Sequence, residues 1–341
     1  MDFTPPPGLD LYESKQPELY AAYSSTYGLA VVAVALRLWC RLAVSKAGLW
    51  WDDYIICLAL TIATGNYVDM IIWVYRGVGT HIYQYGMPGM THFFLNLFVC
   101  EILYTFSICF TKYSILLFYW RIFKKTSIRI PIYILTFLVT GWGLGVLFTT
   151  IFQCIPTRGF WDKSITAHCG VNINNFFIGN AVPNIITDWV LLILPLPYVW
   201  NIQRSAIQKT AICGVFALGG FICIISIVRL IVMLEAYKVP SVDVTWVFVG
   251  PSTWTAVETN IGIVSACLPS LGPLLKRAKR NKVSYNYSDG SDFRRYPNRY
   301  GQSWASAKAG YSHHTNEGSE IHLAGIDVTT SVDIRRERHL Q

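Results

Sequence analysis

The sequence predicts an all-α bundle of seven transmembrane helices, amino terminus outside and carboxyl terminus in the cytoplasm, on three observations. Of 341 residues, 53% are hydrophobic and 14% charged, at a mean hydropathy of +0.38, too apolar for a water-soluble chain of this length. Seven stretches reach the roughly 20 residues that a helix rising about 1.5 Å per residue needs to cross the hydrocarbon layer. Lysine and arginine gather in alternate connections between those stretches.

Residues 1–20, "MDFTPPPGLDLYESKQPELY", lack the basic stretch, short apolar run and cleavage site of a removable signal peptide. The first apolar helix, predicted over 21–44, is therefore expected to act as its own insertion signal. "WWDDY" at 50–54 offers tryptophans for a bilayer interface and two aspartates for a helix start. Asp52 or Asp53 can cap the second span, 54–75, and meet Arg37 or Arg41. The third span, 92–120, includes much of "FTKYSILLFYWRIFKK", where Lys112 stands alone in an apolar run that ends in bases. The fourth, 130–152, carries no charge, and its Gly141 and Gly145 have the spacing of a close helix approach, expected within the bundle, with dimerisation as the alternative. Spans five to seven are predicted over 176–200, 210–234 and 246–271, with Pro183 interrupting the fifth and "LPLP" at 194–197 able to kink it.

The connections assigned to the cytoplasm hold Arg41, Lys46, Arg121, Lys124, Lys125, Arg129, Arg204, Lys209, Lys276, Arg277, Lys279, Arg280 and Lys282. The opposite connections hold only Lys15, Arg76, Arg158, Lys163 and Lys238. The positive-inside bias sets the orientation from that contrast. A membrane domain over 21–275 is followed by a tail over 276–341. The tail opens with the basic run "KRAKRNK", an expected flank of the last span and a possible contact for anionic lipid. From about Ser284 the composition is too polar to bury a core, which predicts disorder. The sequon at Asn286 falls on the cytoplasmic side and is expected to stay unglycosylated.

An ionised side chain near the bilayer centre costs at least about 2.5–3.5 kcal/mol on insertion scales, so it should face the bundle and find a partner. Glu101, Tyr104, Thr105, Ile108 and Lys112 follow helical steps along one face of the third span. Asn180, Asn184 and Asp188 recur along the fifth, and Glu258, Gly262 and Ser265 along the seventh. At helical rise Lys112 lies about 13 Å inward of Arg121, while Asp188 and Glu258 lie roughly 19 Å inward of their helix ends, so either acid is available to Lys112. A second layer, nearer the outside, holds Asp69, Glu101 and Arg229, in which Arg229 is expected to pair with one or both acids. These groups, with Asn260, are the candidate intramembrane polar site. The pairs can lock helix packing, line a site for an unidentified small-molecule ligand, or both.

Nine cysteines are spread mostly one per span, as small apolar residues. Cys154 and Cys169 differ in flanking a predicted outer loop, where oxidation is permitted, and a disulfide between them is expected; Cys100 remains an alternative partner. Histidines at 81, 92, 168, 313, 314, 322 and 339 fall in loops, a helix edge or the tail, so no metal site is expected. No nucleophile elbow or phosphate loop is present. The net charge of +8 is dispersed rather than gathered in one patch, which argues against nucleic acid.

Taken in order, "GVGTHIY", "ILYTFSICFTKYSILLFYWRIF", "IFQCIPTRGFWD", "HCGVN", "NIITDWVLLILPLPYVWNIQ", "IISIVRL" and "VETNIGIVSACLPSL" resemble the fungal rhodopsin-domain integral membrane family over about residues 25–275. The resemblance implies a seven-helix, receptor-like protein, of a family that includes pathogenesis-related members and members encoded in secondary-metabolite clusters. It points to Lys112, Cys154, Trp161, Asp162, Cys169, Asn184, Asp188, Arg229, Glu258 and Asn260. "GVGTH" departs from the family pattern, in which arginine usually precedes the histidine; Thr80 removes that charge. The last span contains no lysine, so no retinal is expected. The predicted protein resides in a plasma or internal membrane, with lipid, a small-molecule ligand and a cytosolic signalling protein as expected partners. A small-molecule transporter and an integral membrane enzyme of a biosynthetic pathway are the alternatives.

Overall fold

The structure is a computed structural model that describes residues 5, 8–44, 48–123, 126–200, 206–238, 243–272, 319–323 and 326–330. Its helices are α1 Gln16–Trp39, α2 Trp51–Tyr75, α3 Gly86–Ile122, α4 Arg129–Phe152, α5 Ile173–Ile193, the short α6 Leu196–Trp200, α7 Ala206–Lys238, the short α8 Val244–Val247 and α9 Val249–Cys267. Neighbouring contacts run α1 to α2, α2 to α3, α3 to α4, α4 to α5, α5 to α7, α7 to α9 and α9 back to α1, which closes a ring; α3 also packs against α9. Among the described residues, six stretches are long and apolar enough to cross a membrane: Gln16–Val44, Trp51–Tyr75, Gly86–Ile122, Arg129–Phe152, Asn175–Tyr198 and Gly219–Ala236. With 19 residues, including Glu258 and Asn260, α9 is shorter and more polar.

Polarity is distributed as expected for a bundle in lipid. Outward faces are apolar, as on α4, where Phe137 is 77% exposed and Ile130, Tyr133, Phe148 and Phe152 are also exposed. Buried positions instead hold Lys112, Arg229, Glu258, Asn184 and Ser226. Lipid takes the apolar side chains while the charged ones turn inward to protein partners.

Helix boundaries differ from the sequence expectation where turn chemistry intervenes. α1 passes into a π-helical segment, Cys40–Val44, and α3 starts at Gly86, whose φ is 58°. α5 keeps Pro183 in its interior but stops at Ile193, before the first proline of the "LPLP" stretch. The close approach on α4 is made by Gly143, where a Cβ would lie 2.6 Å from Cys109 Sγ of α3. Gly141 and Gly145, expected to pack within the bundle, are exposed with open space around them; the helical phase puts the glycine between them on the inner face.

One end of the bundle carries the loop between α4 and α5. Cys154–Ile155 pairs antiparallel with His168–Cys169, and the expected Cys154–Cys169 disulfide joins them, leaving Cys100 a free buried thiol. The loop drives Phe160, 4% exposed, into a core with Leu19, Tyr23, Trp73, Phe93 and Phe176. At the same end the turn after α2 is fastened to its neighbours: Lys15 N–H donates to Gly79 O at 2.8 Å, and Gly79 N–H to Thr245 O at 3.2 Å. Gly79 has a φ of 90°, and a Cβ there would lie 3.0 Å from Leu19 and 3.1 Å from the Gln16 nitrogen, so both backbone sign and space require glycine.

The basic run 276–282 and Asn286 lie outside the described residues. Within a separate unit spanning 290–341, Ser319–Leu323 and Ile326–Thr330 pair as antiparallel strands in a region whose composition predicts no order. Isoleucine, valine and threonine in "IDVTT" suit the pleated backbone.

Candidate functional site

Four helices bring their polar stripes to one point. Lys112 of α3 reaches α5, where its Nζ lies 3.0 Å from Asp188 Oδ1 and donates to Asn184 Oδ1 at 2.7 Å, Asn184 O at 3.1 Å and Thr187 Oγ1 at 2.6 Å. Three ammonium hydrogens thus face four oxygens, and the Trp142 ring lies 5.5 Å away. Helical spacing accounts for the grouping on α5, because Asn184, Thr187 and Asp188 fall on one face within a single turn. Thr187 donates back to the Pro183 and Asn184 carbonyls at 2.9 Å each, local acceptors in a helix interrupted by proline.

Glu258 of α9 is paired with Arg229 of α7, whose Nε lies 2.7 Å from Oε2. Tyr104 of α3 donates to the same oxygen at 2.8 Å, while Asn184 Nδ2 donates to Oε1 at 3.0 Å. The Arg229 guanidinium sits 5.1 Å over the Tyr104 ring, and its Nη2 has no hydrogen-bond partner among the described residues. Ser226 of α7 closes the network: its hydroxyl is 2.5 Å from Glu258 Oε1 and 3.2 Å from Asp188 Oδ2. One hydroxyl hydrogen therefore lies between two carboxylates. The result is a continuous chain of contacts, Lys112 to Asp188 to Ser226 to Glu258 to Arg229, with two cations against two anions and little exposure to solvent. A cleft of about 60 Å³ between α3, α5, α7 and α9 reaches Asp188, with Tyr119, Leu192, Gly219, Ile222 and Ser265 among its walls.

The structure thus joins Lys112, Asn184, Asp188, Arg229 and Glu258, and chooses Asp188 as the acid beside Lys112. The expected pairing of Arg229 with Asp69 or Glu101 is corrected, because α7 and α9 are neighbours and Glu258 reaches the guanidinium first. Asp69 instead accepts from Asn96 Nδ2 at 3.0 Å, and Arg76 donates to the Asn96 amide oxygen at 3.0 Å. Glu101 is buried beside Thr150 of α4, with Oε2 outside hydrogen-bonding geometry. Asn260 faces α1 and donates to Thr26 Oγ1 at 3.1 Å. Sequence reasoning missed Ser226 and Thr187 as members, although each stands one helical step from a residue that it singled out, Arg229 and Asn184 respectively.

Two further polar clusters lie away from this network. "WWDDY" supplies a five-charge group in which Arg37 contacts Asp52 at 2.6 Å and Asp53 at 2.8 Å, Arg41 contacts both, and Arg121 joins from α3. Asp53 also caps α2 by accepting the Trp50 N–H at 3.1 Å. At the disulfide end His81 Nδ1 lies 2.5 Å from Asp243 Oδ2, stacked on Trp246, and ties the turn after α2 to the start of α8. In the disulfide loop, Ser164 donates twice to Asp162 and holds that carboxyl below its usual range, while partial burial pushes the Lys163 ammonium down. Among the described residues no group of three or more metal-ligating side chains converges.

Residues 36–277 match the fungal rhodopsin domain. A SAT4 family membrane protein of Emericella nidulans is 30% identical over 67% of this chain and 55% of its own length. The Polyenoic acids biosynthesis gene cluster protein Ba17b of Metarhizium anisopliae is 27% identical over 73% of this chain and 71% of its own. Receptor GIN3 of Arthrobotrys oligospora is 24% identical over 71% and 58%. The chain thus spans little more than half the length of the first and third. No solved structure matches the chain significantly.

Proposed function

Since this multi-pass membrane protein belongs to the fungal rhodopsin domain family, we propose that it is a receptor-like sensor of a small molecule. In this reading α9 is the seventh span, the amino terminus lies outside and the carboxyl terminus in the cytoplasm. The observation that carries it is the four-helix charge network. Its ion pairs link α3, α5, α7 and α9 through short, water-poor contacts, so a small relative shift of these helices breaks or re-forms several at once. Such an element has discrete arrangements, and a ligand that favours one of them shifts the population. Asp69 on α2, Glu101 on α3 and Asn260 on α9 are buried outside the network and are candidates for ligand contact. The name of Receptor GIN3 agrees with sensing, and the cluster-associated relatives agree with a small molecule of fungal secondary metabolism as the signal. Retinal has no place in this reading, because Lys112 is committed to four oxygens as a paired charge.

Transport is the second reading, favoured by the cleft that reaches Asp188 and by Pro183 within α5. Extracts of culture medium applied to cells expressing the chain separate the two. Extract-dependent recruitment of a cytosolic protein to the membrane supports sensing. Accumulation of a labelled metabolite in vesicles without recruitment replaces sensing by transport.

A further inference from the structure

Besides the central network, the bundle interior holds two more carboxylates, Asp69 of α2 and Glu101 of α3, 9% and 8% exposed. Neither forms an ion pair among the described residues, and each keeps a buried oxygen without a hydrogen-bond partner there. Arg76 is linked to Asp69 through Asn96, whose amide oxygen accepts from Arg76 Nη1 at 3.0 Å. That bond fixes which way the Asn96 amide points, so its Nδ2 donates to Asp69 O at 3.3 Å and to Asp69 Oδ1 at 3.0 Å. The carboxylate is thus held by one oxygen, and the other, Oδ2, is the unpartnered one. Asn66 Oδ1 is likewise buried and unpartnered among the described residues. Asn66, 3% exposed, stands three residues before Asp69, a spacing that puts side chains on one helix face with Cβ atoms about 5–6 Å apart. Trp73 Nε1, an unpartnered donor one turn further along α2, is not bonded to either oxygen. Two acceptors therefore neighbour each other on α2 with no donor from the described residues on either.

A buried acceptor without a donor and a buried carboxylate without a cation are both costly, and a bound metal ion offsets both at once. We propose that Asp69 Oδ2 and Asn66 Oδ1 are ligands of one monovalent metal cation, sodium or potassium, held on the face of α2 that packs against α3. Hard cations take carboxylate, amide and water oxygens together, so the site needs no group of three acidic or imidazole side chains, which the described residues lack. The charge of the ion follows from its partners. One carboxylate neutralises one positive unit, whereas a divalent ion would leave a surplus inside the bundle, where Arg76 already reaches Asn96. Asn96 is the positioning residue: by engaging Oδ1 it leaves Oδ2 for the ion. The proposal goes beyond the sensing reading, since it gives Asp69 to an inorganic ion, leaves Glu101 and Asn260 for contact with the signal, and stands even if the chain senses nothing.

The full chain is purified in a maltoside detergent, and its thermal unfolding is followed in choline chloride, sodium chloride and potassium chloride at equal ionic strength. Sodium or potassium at about a hundred times its Kd should raise the melting temperature by about 5–10 °C over choline, with a saturable dependence on concentration. Asp69→Asn keeps an oxygen for the Asn96 amide and so keeps the fold, and it should melt at the same temperature in all three salts. Asn66→Ala should need about tenfold more cation for half the effect, the worth of one oxygen lost from a charged partner. Glu101→Gln, which removes the other unpaired acid, should respond to the cation as the parent does. The proposal is overturned if choline serves the parent as well as sodium and potassium, or if calcium or magnesium stabilises it at lower concentration than either. Stability that follows pH but no cation puts a proton on Asp69 and also overturns it, as does a full cation response in Asp69→Asn or Asn66→Ala, or its loss in Glu101→Gln.

Discussion

Replacing Lys112 with alanine tests the central network most directly. The substitution removes the cation 3.0 Å from Asp188 and the donor to Asn184 and Thr187, while leaving Asp188 with the Ser226 hydroxyl as its described partner. Removing one partner of a buried ion pair costs about 3–5 kcal/mol, because the other charge stays behind without compensation. At about 2–4 °C per kcal/mol for a domain of this size, the melting temperature should fall by about 6–20 °C. The free cysteines Cys40, Cys100, Cys109, Cys223 and Cys267 are buried, so a thiol-reactive fluorescent dye reports unfolding in detergent. Neutralising the stranded acid in the double variant Lys112→Ala/Asp188→Asn should recover about 0.5–3 kcal/mol. Lys112→Ala/Glu258→Gln should recover nothing, because it strands Arg229 in turn. Parent-like melting of Lys112→Ala, or equal rescue by the two double variants, would refute the assignment of Asp188 as the partner.

Three other substitutions probe the scaffold. Gly143→Val should cost about 1–3 kcal/mol by driving a side chain into Cys109, whereas Gly141→Val and Gly145→Val should leave the melting curve almost unchanged. Cys154→Ala opens a loop with a sequence separation of 15 and should lower stability by about 3 kcal/mol, with loss of the mobility difference between reduced and non-reduced protein on gels. Arg37→Met should be among the most damaging changes, about 3–5 kcal/mol, because it leaves Asp52 and Asp53 fully buried with only the partly exposed arginines opposite; expression and melting in detergent measure it.

The linear sequence determined which stretches are helical, which of their side chains are apolar, and that Lys112, Asp188, Arg229 and Glu258 occupy places where lipid cannot hold them. Those properties follow from helical rise and the cost of burying charge, both readable residue by residue. It also put Asp52 and Asp53 beside Arg37 and Arg41, since a short connection leaves the ends of α1 and α2 adjacent. Partner choice across the bundle was another matter. Depth along a helix allowed Lys112 either acid and placed Arg229 level with Asp69 and Glu101, but a charge pairs with the group its helix faces. Only the ring order, with α7 against α9 and α5, gave Arg229 to Glu258 and left Asp188 to Lys112. The same distinction separates Gly143 from its neighbours on α4 and brings Arg121 to the aspartates: sequence spacing fixes height and phase on one helix, while packing decides which surface stands opposite.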